Sequence, residues 1–199
     1  MYLIYGLQKS GQSIIKLFQK KNLKFKIWDD DYNVRSILKK KINKNLFFNP
    51  EKNDFSIFKE IYVSPGISLR QKKFQIKNIS SLFSRDLNLY SSLLTNQNII
   101  AITGTNGKST TTKLVGDILK ENGIKTFVGG NIGEPLCNVF LHKKNFNFHV
   151  IELSSFQLEK VRNLDTKISI ITNLSNDHLD RYNNMNDYIK QKKNIINKT

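Results

Sequence analysis

A chain of 199 residues with 39% hydrophobic and 11% aromatic side chains holds enough apolar material for one or two folded cores, which excludes a disordered tail. Its net charge of +16 comes from lysines scattered among asparagines, with five arginines, and no dense basic run interleaves with aromatics as a nucleic-acid groove would need. A single cysteine, Cys137, excludes an intramolecular disulfide, and no apolar run approaches the length of a membrane span.

The lone thiol and the lack of a signal-peptide pattern at the N-terminus point to a cytoplasmic protein, with no membrane and no nucleic acid as partner. Cys137 sits among Leu136, Val139 and Phe140 and reads as a small core residue. The diffuse positive field favours anionic substrates.

In chain order, an apolar strand over 2–5 runs into the turn GLQKSG at 6–11, and a helix follows over 12–21 with Ile14, Ile15, Leu17 and Phe18 on its buried face. A second strand over 24–28 ends in Asp29, Asp30 and Asp31. Strand, glycine turn, helix, strand and terminal acid make half of a Rossmann-like unit, although Gln8 stands where the dinucleotide fingerprint has its second glycine. Residues 32–94 alternate short apolar segments with polar turns. The run Ile61, Tyr62, Val63 breaks at Ser64, Pro65 and Gly66, and a helix is expected over 86–94. Lys9, Ser10, Asp29, Asp30, Ser64 and Gly66 are the candidates for substrate binding here, because all end strands or open a helix in one sheet.

Four polar residues at 95–98 mark the boundary between a first domain, 1–95, and a second, 96–199. There the apolar run Ile99 to Ile102 stops at Thr103 and Gly104, and Lys108 and Ser109 open a helix expected to reach Asn122. This is the strand–loop–helix setting of a phosphate-binding loop. Glycines let consecutive N–H groups turn toward a polyphosphate, and the helix N-terminus adds partial positive charge. Gly104, Thr105, Asn106, Gly107, Lys108, Ser109 and Thr110 are the expected ATP-binding residues, with Lys108 reaching the β/γ-phosphates and Ser109 suited to Mg²⁺. Ile102 stands where the general loop pattern has its first glycine. Leu114, Val115, Ile118 and Leu119 are expected to face inward, and Gly123 to stop the helix.

Further strands are expected over 125–128, 148–153 and 167–172, each followed by polar residues. A parallel sheet would bring Lys108, Glu152 and His178 to one edge. Glu152 ends an apolar strand, where a carboxylate is costly unless it holds a cation, so near Ser109 it is the natural Mg²⁺ ligand. His178 lies in a polar loop beside Asp177 and Asp180, a setting that reads as functional and not as a packed core histidine. A P-loop switch protein stays open as an alternative, and it would need an aspartate where the strand ends in Glu152. A basic nucleic-acid-binding protein is the other, and would show salt-dependent duplex binding.

The segments GTNGKSTTTK (104–113), GGNIGEPL (129–136), ELSSFQLE (152–159) and NLSNDHLDRY (173–182) resemble the motif series of the Mur ligases, and GGNIG with ELSSFQLE is most similar to the D-glutamate-adding members. The turn GLQKSG and the SPGI at 64–67 are similar to that family's uridine-diphosphate domain. The resemblance implies an α/β protein: a Rossmann-like N-terminal domain, then part of a P-loop-type ATPase domain with a parallel sheet. It also implies a monomeric enzyme that uses ATP and Mg²⁺ to join D-glutamate to UDP-N-acetylmuramoyl-L-alanine through an acyl phosphate. A sibling ligase adding another amino acid, or one like folylpolyglutamate synthase, is the alternative. By the same resemblance Ser109 and Glu152 serve one magnesium and His178 a second, while Asn131 touches substrate or phosphates and Ser154 touches substrate. Lys108, His178 and Lys192 are the catalytic set, with Lys192 a metal ligand if carbamylated. The chain is expected to stop within the central domain, without the C-terminal domain, and to be inactive as a ligase alone.

Overall fold

The computed structural model describes residues 1–177 and 180–196. They form two compact units, Met1–Asp86 and Leu87–Thr199, each built on a parallel four-stranded sheet. Among the described residues, no helix is long and apolar enough to cross a membrane.

In the first unit β1 (Tyr2–Tyr5) lies between β2 (Phe25–Trp28) and β3 (Glu60–Val63), and the two-residue β4 (Phe83–Ser84) closes the order β2-β1-β3-β4. Period-2 alternation sorts the side chains of β1. Leu3 and Tyr5 join Phe48, Phe55, Phe58, Phe74 and Phe83 on one face. On the other, Tyr2 meets Phe18 of α1 (Lys9–Lys20), ring centroids 5.1 Å apart. The predicted helix face of Ile14, Ile15, Leu17 and Phe18 is buried, and α1 starts three residues earlier than its apolar pattern suggests. The helix α2 (Tyr32–Lys39) was not legible as an element, since Leu38 is its one buried residue and its start rests on Asp31 accepting from Asn33 N.

The second unit has the order β6-β7-β5-β8, from β5 (Asn98–Thr103), β6 (Thr126–Gly130), β7 (Phe148–Glu152) and β8 (Ile168–Ile171). α3 (Asp86–Ser92) starts at the division between the units, and its Leu87 and Tyr90 lie in the second unit's core. The central β5 is buried on both faces, as parallel strands are. Ile99 and Ala101 pack with Leu87, Tyr90 and Ile151, while Ile100 and Ile102 pack with Val150 beneath α4 (Lys108–Glu121). Cys137 is buried, as expected.

The expected inward face of α4 needs correction. Leu114 and Ile118 are 58% and 50% exposed. The helix meets the sheet through Thr112, Val115, Gly116 and Leu119, the i, i+3, i+4, i+7 stripe. Gly116 lets the helix close on β6, because a Cβ there would collide with Val128. Leu114 and Ile118 are one helical step off that stripe.

His149 of β7 is 2% exposed, and its Nδ1 is 2.7 Å from the Tyr90 hydroxyl. Burial holds its pKa down to about 4, below the ordinary 6.5. Above pH 6.5 the ring is neutral folded or unfolded. Below it the unfolded chain takes up the proton first, so stability is lost as pH falls from 6.5 toward 4. Urea unfolding of the second unit should therefore show a loss approaching about 3 kcal/mol from this one group. A His149→Phe variant should show a shallower pH slope, and an unchanged slope would count against this account.

Candidate active site

In the first unit the turns after β1 and β3 meet at the carboxyl end of the sheet. Gly6 has φ +94°, and an added Cβ would lie 2.6 Å from the Ser64 Cβ, so the approach requires glycine. Ser64 Oγ donates to the Gly6 carbonyl at 2.7 Å. Lys9 and Ser10 open α1, whose N-cap residue Gln8 makes no side-chain cap bond. Gly66 is exposed, with open space over its Cα.

The two candidate acids take different places. Asp29 is buried, and its Oδ2 accepts from Leu7 N at 2.6 Å and its Oδ1 from Asp31 N at 2.9 Å, which ties the first turn to β2. Asp30 is exposed, and accepts from the Tyr5 hydroxyl at 2.6 Å, from Trp28 Nε1 at 3.2 Å and from the Lys73 ammonium. Burial works against ionised Asp30, but Lys73, Tyr5 and Trp28 outweigh it and hold its pKa below the ordinary value. The Tyr5 phenol is pushed well up, first by burial, then by its hydrogen bond to Asp30 and by the Asp30 charge. Neither Lys73 nor Tyr5 stood out in the sequence, because their meeting with Asp30 is made by chain folding across 43 and 25 residues.

In the second unit β5, β7 and β8 end side by side. Ile102 pairs with Glu152 and Thr103 with Ile171, so register alone brings the phosphate loop, Glu152 and the segment after β8 to one edge. Lys108 Nζ donates to the Thr105 carbonyl at 2.7 Å, curled over the loop it follows. Ser109 Oγ donates to Glu152 Oε2 and Asn131 Nδ2 to Glu152 Oε1, both at 2.7 Å. Asn131 also donates its N–H to the Glu152 carbonyl at 2.9 Å. Thr110 is exposed on the first turn of α4, and Ser154 shares its N–H and hydroxyl with Gln157 Oε1 in the turn after β7.

Lys192 of α5 (Met185–Lys193) is 2% exposed, and its ammonium donates to the Gly104 carbonyl at 2.6 Å, 4.8 Å from the Tyr188 ring. Burial, then the Lys108 charge, lowers its pKa to about 8 against the opposing pull of Asp177 and Glu152. His178 lies outside the described residues. The sheet thus gathers Lys108, Ser109, Glu152, Asn131 and Lys192, while Ser154 serves its own turn.

The donors suit a hard divalent cation. Glu152 is 1% exposed, yet its carboxylate is held by one hydroxyl and one carboxamide, both neutral. A buried carboxylate without an ion pair is costly, and a hydroxyl beside it can rotate to present its oxygen to the same ion. Among the described residues no three His, Cys, Asp or Glu cluster as a metal cage, so the protein would supply only part of a coordination shell. Mg²⁺ commonly takes the rest from phosphates and water.

Gly104 has φ +149°, and a Cβ there would collide with Thr172 Oγ1. Gly104→Ala should destabilise the second unit by about 2 kcal/mol or more. Urea unfolding checks this, and a loss under 0.5 kcal/mol, a surface-like value, would contradict it.

Comparison with known proteins agrees with this geometry. Residues 102–199 match the Mur ligase middle domain. The chain is 35% identical to the UDP-N-acetylmuramoylalanine–D-glutamate ligase of Wolbachia pipientis wMel, 37% to that of Rickettsia prowazekii and 38% to that of Buchnera aphidicola from Acyrthosiphon pisum. Each match covers 98% of this chain and 38%, 43% and 44% of the relative, so the chain spans about two fifths of their length. The crystal structure of a UDP-N-acetylmuramate-alanine ligase from Thermotoga maritima shares the fold at TM-score 0.52 and 18% identity, over 98% of this chain and 46% of that one. Over residues 102–199 this chain is therefore similar to the middle domain of the Mur ligases.

Proposed function

We propose that this chain supplies the UDP-substrate and phosphate-binding parts of an ATP-dependent, cytoplasmic ligase. The enzyme adds D-glutamate to UDP-N-acetylmuramoyl-L-alanine, acting as a monomer. The observation that carries the reading is the placement of Ser109 on Glu152 at 2.7 Å, one residue from Lys108, at the carboxyl edge of a parallel sheet. The relatives' names supply the substrates.

In this reading the γ-phosphoryl group of ATP passes to the muramoyl-alanine carboxylate, and the D-glutamate amine displaces phosphate from the acyl phosphate. Positioning and charge neutralisation carry such a transfer. Lys108 exchanges the Thr105 carbonyl for phosphate oxygens. Asn131 and Ser109 hold the Glu152 carboxylate in one orientation, and the first turn of α4 offers unpaired N–H groups to phosphate. Mg²⁺ bound at Ser109 and Glu152 would neutralise phosphate charge. The Gly6 and Ser64 turns with Lys9, Ser10 and Gly66 take the uridine diphosphate, with the exposed Asp30 and not the buried Asp29 facing the ligand. His178 and Ser154 are assigned to substrate by motif.

Calorimetry tests both halves. Mg-ATP and UDP-N-acetylmuramoyl-L-alanine should each bind saturably, and Ser64→Trp should weaken only the second. Absence of binding by both at millimolar concentration would overturn the reading. An ATP-dependent ligation assay against a panel of amino acids then tests the choice of D-glutamate in any active form of the enzyme.

A further inference from the structure

The backbone of the phosphate loop is held from outside. Thr105 N donates to the Asn173 carbonyl at 3.0 Å. Asn106 N donates to Asn173 Oδ1 and Asn173 Nδ2 donates back to the Asn106 carbonyl, both at 2.9 Å. Thr172 Oγ1 adds a bond to the same carbonyl at 2.6 Å. On the preceding residue, Thr105 Oγ1 accepts from Ser175 N at 3.0 Å and sits 3.1 Å from the Tyr188 hydroxyl. These partners lie 66 to 83 residues away in the chain, on the segment after β8 and on α5.

We propose that Asn173 is a positioning residue for nucleotide binding, its carboxamide locking the Asn106 peptide so that the first-turn amides of α4 face the polyphosphate. The inference rests on the nucleotide reading above and deepens it. A carboxamide presents one acceptor and two donors in a plane, so it can satisfy the N–H and the carbonyl of one residue as a neighbouring strand would. Because the N–H groups of Thr105 and Asn106 are both turned to residue 173, they are not phosphate ligands in this arrangement. That duty passes to the amides of Lys108, Ser109 and Thr110, which a helix leaves without an intrahelical partner. The same lock joins the phosphate loop to the segment that follows β8.

Mg-ATP affinity and amide hydrogen exchange, measured on the same samples, test this. Asn173→Ala should weaken Mg-ATP by about ten- to a hundredfold, the worth of a lost pair of hydrogen bonds and a loosened loop. Exchange at Asn106 should become fast while the β5 amides of Ile100 and Ala101 stay protected, which a general loss of folding would not reproduce. Asn173→Asp keeps the acceptor, loses the donor and sets an oxygen against the Asn106 carbonyl, so it should bind no better than the alanine variant. It also serves if the alanine variant fails to fold. Unchanged or tighter Mg-ATP binding by Asn173→Ala would overturn the proposal, since Asn173 would then be idle or a competitor for the Asn106 N–H. If the wild-type chain binds no nucleotide, the nucleotide reading fails by itself, and slow Asn106 exchange lost in the variant still decides the lock.

Discussion

Lys108→Ala is expected to weaken Mg-ATP binding by roughly a hundredfold or more, and to leave the fold intact. The ammonium rests on one loop carbonyl, that of Thr105, and is half-buried, so its removal strips no core contact. Stability should change by less than about 0.5 kcal/mol, the ordinary range for such a site. Binding is another matter, because a triphosphate would then face amide dipoles alone where it had a charge-assisted bond. Calorimetry on the two proteins measures the first effect and urea unfolding the second. Equal affinity for Mg-ATP would remove Lys108 from the nucleotide site. The substitution should also raise the Lys192 pKa, since the Lys108 charge is one of the causes that lower it.

The second large effect concerns Lys192. With a pKa of about 8, roughly one tenth of this amine is neutral at pH 7 and half at pH 8. A neutral amine adds CO₂, forming an N–C bond and releasing one proton, and a buried ammonium becomes a carbamate anion. Lys108 would favour that anion, whereas Glu152 and the Gly104 carbonyl would oppose it, so a bound divalent cation is needed to tip the balance. With ¹³C-bicarbonate and Mg²⁺ at pH 8, the chain should give a carbamate resonance that is absent in Lys192→Met and weaker at pH 6. No such resonance under those conditions would end the carbamate reading and leave Lys192 as a loop anchor through Gly104. The lysine lies at the fourth α5 position after Tyr188, and spacing alone in a lysine-rich helix could not distinguish it from a solvated one. Burial and a carbonyl partner do.

The strands of the second unit were legible because each is a short apolar run bounded by glycine or polar residues: β7 and β8 fall within the expected ranges, β5 extends one residue beyond its apolar run at each end, and β6 starts one residue later than expected and continues through Gly129 and Gly130. The strand–loop–helix from β5 to α4 was legible for the same local reason, as was the meeting of Ser109 with Glu152, since parallel strands with short turns expose their carboxyl ends on one edge. The inward face of α4 was misjudged because Leu114 and Ile118 differ from Val115 and Leu119 by one helical step, and apolarity is the same on both stripes. α2 buries one residue, so no periodicity announces it.

What the amino-acid order determined by itself is therefore the main strands, the helices that follow β1 and β5, the parallel sense and the residue types at the carboxyl ends, because these follow from local pattern and turn chemistry. Tertiary structure alone decided which of the two neighbouring acids is tied inward, Asp29 or Asp30. It also decided that Asn173 grips Asn106 and that Lys192 is buried against Gly104. Those outcomes depend on groups some twenty to ninety residues apart meeting at hydrogen-bond distance, and on water being excluded where they meet. No periodicity within a single segment encodes either condition.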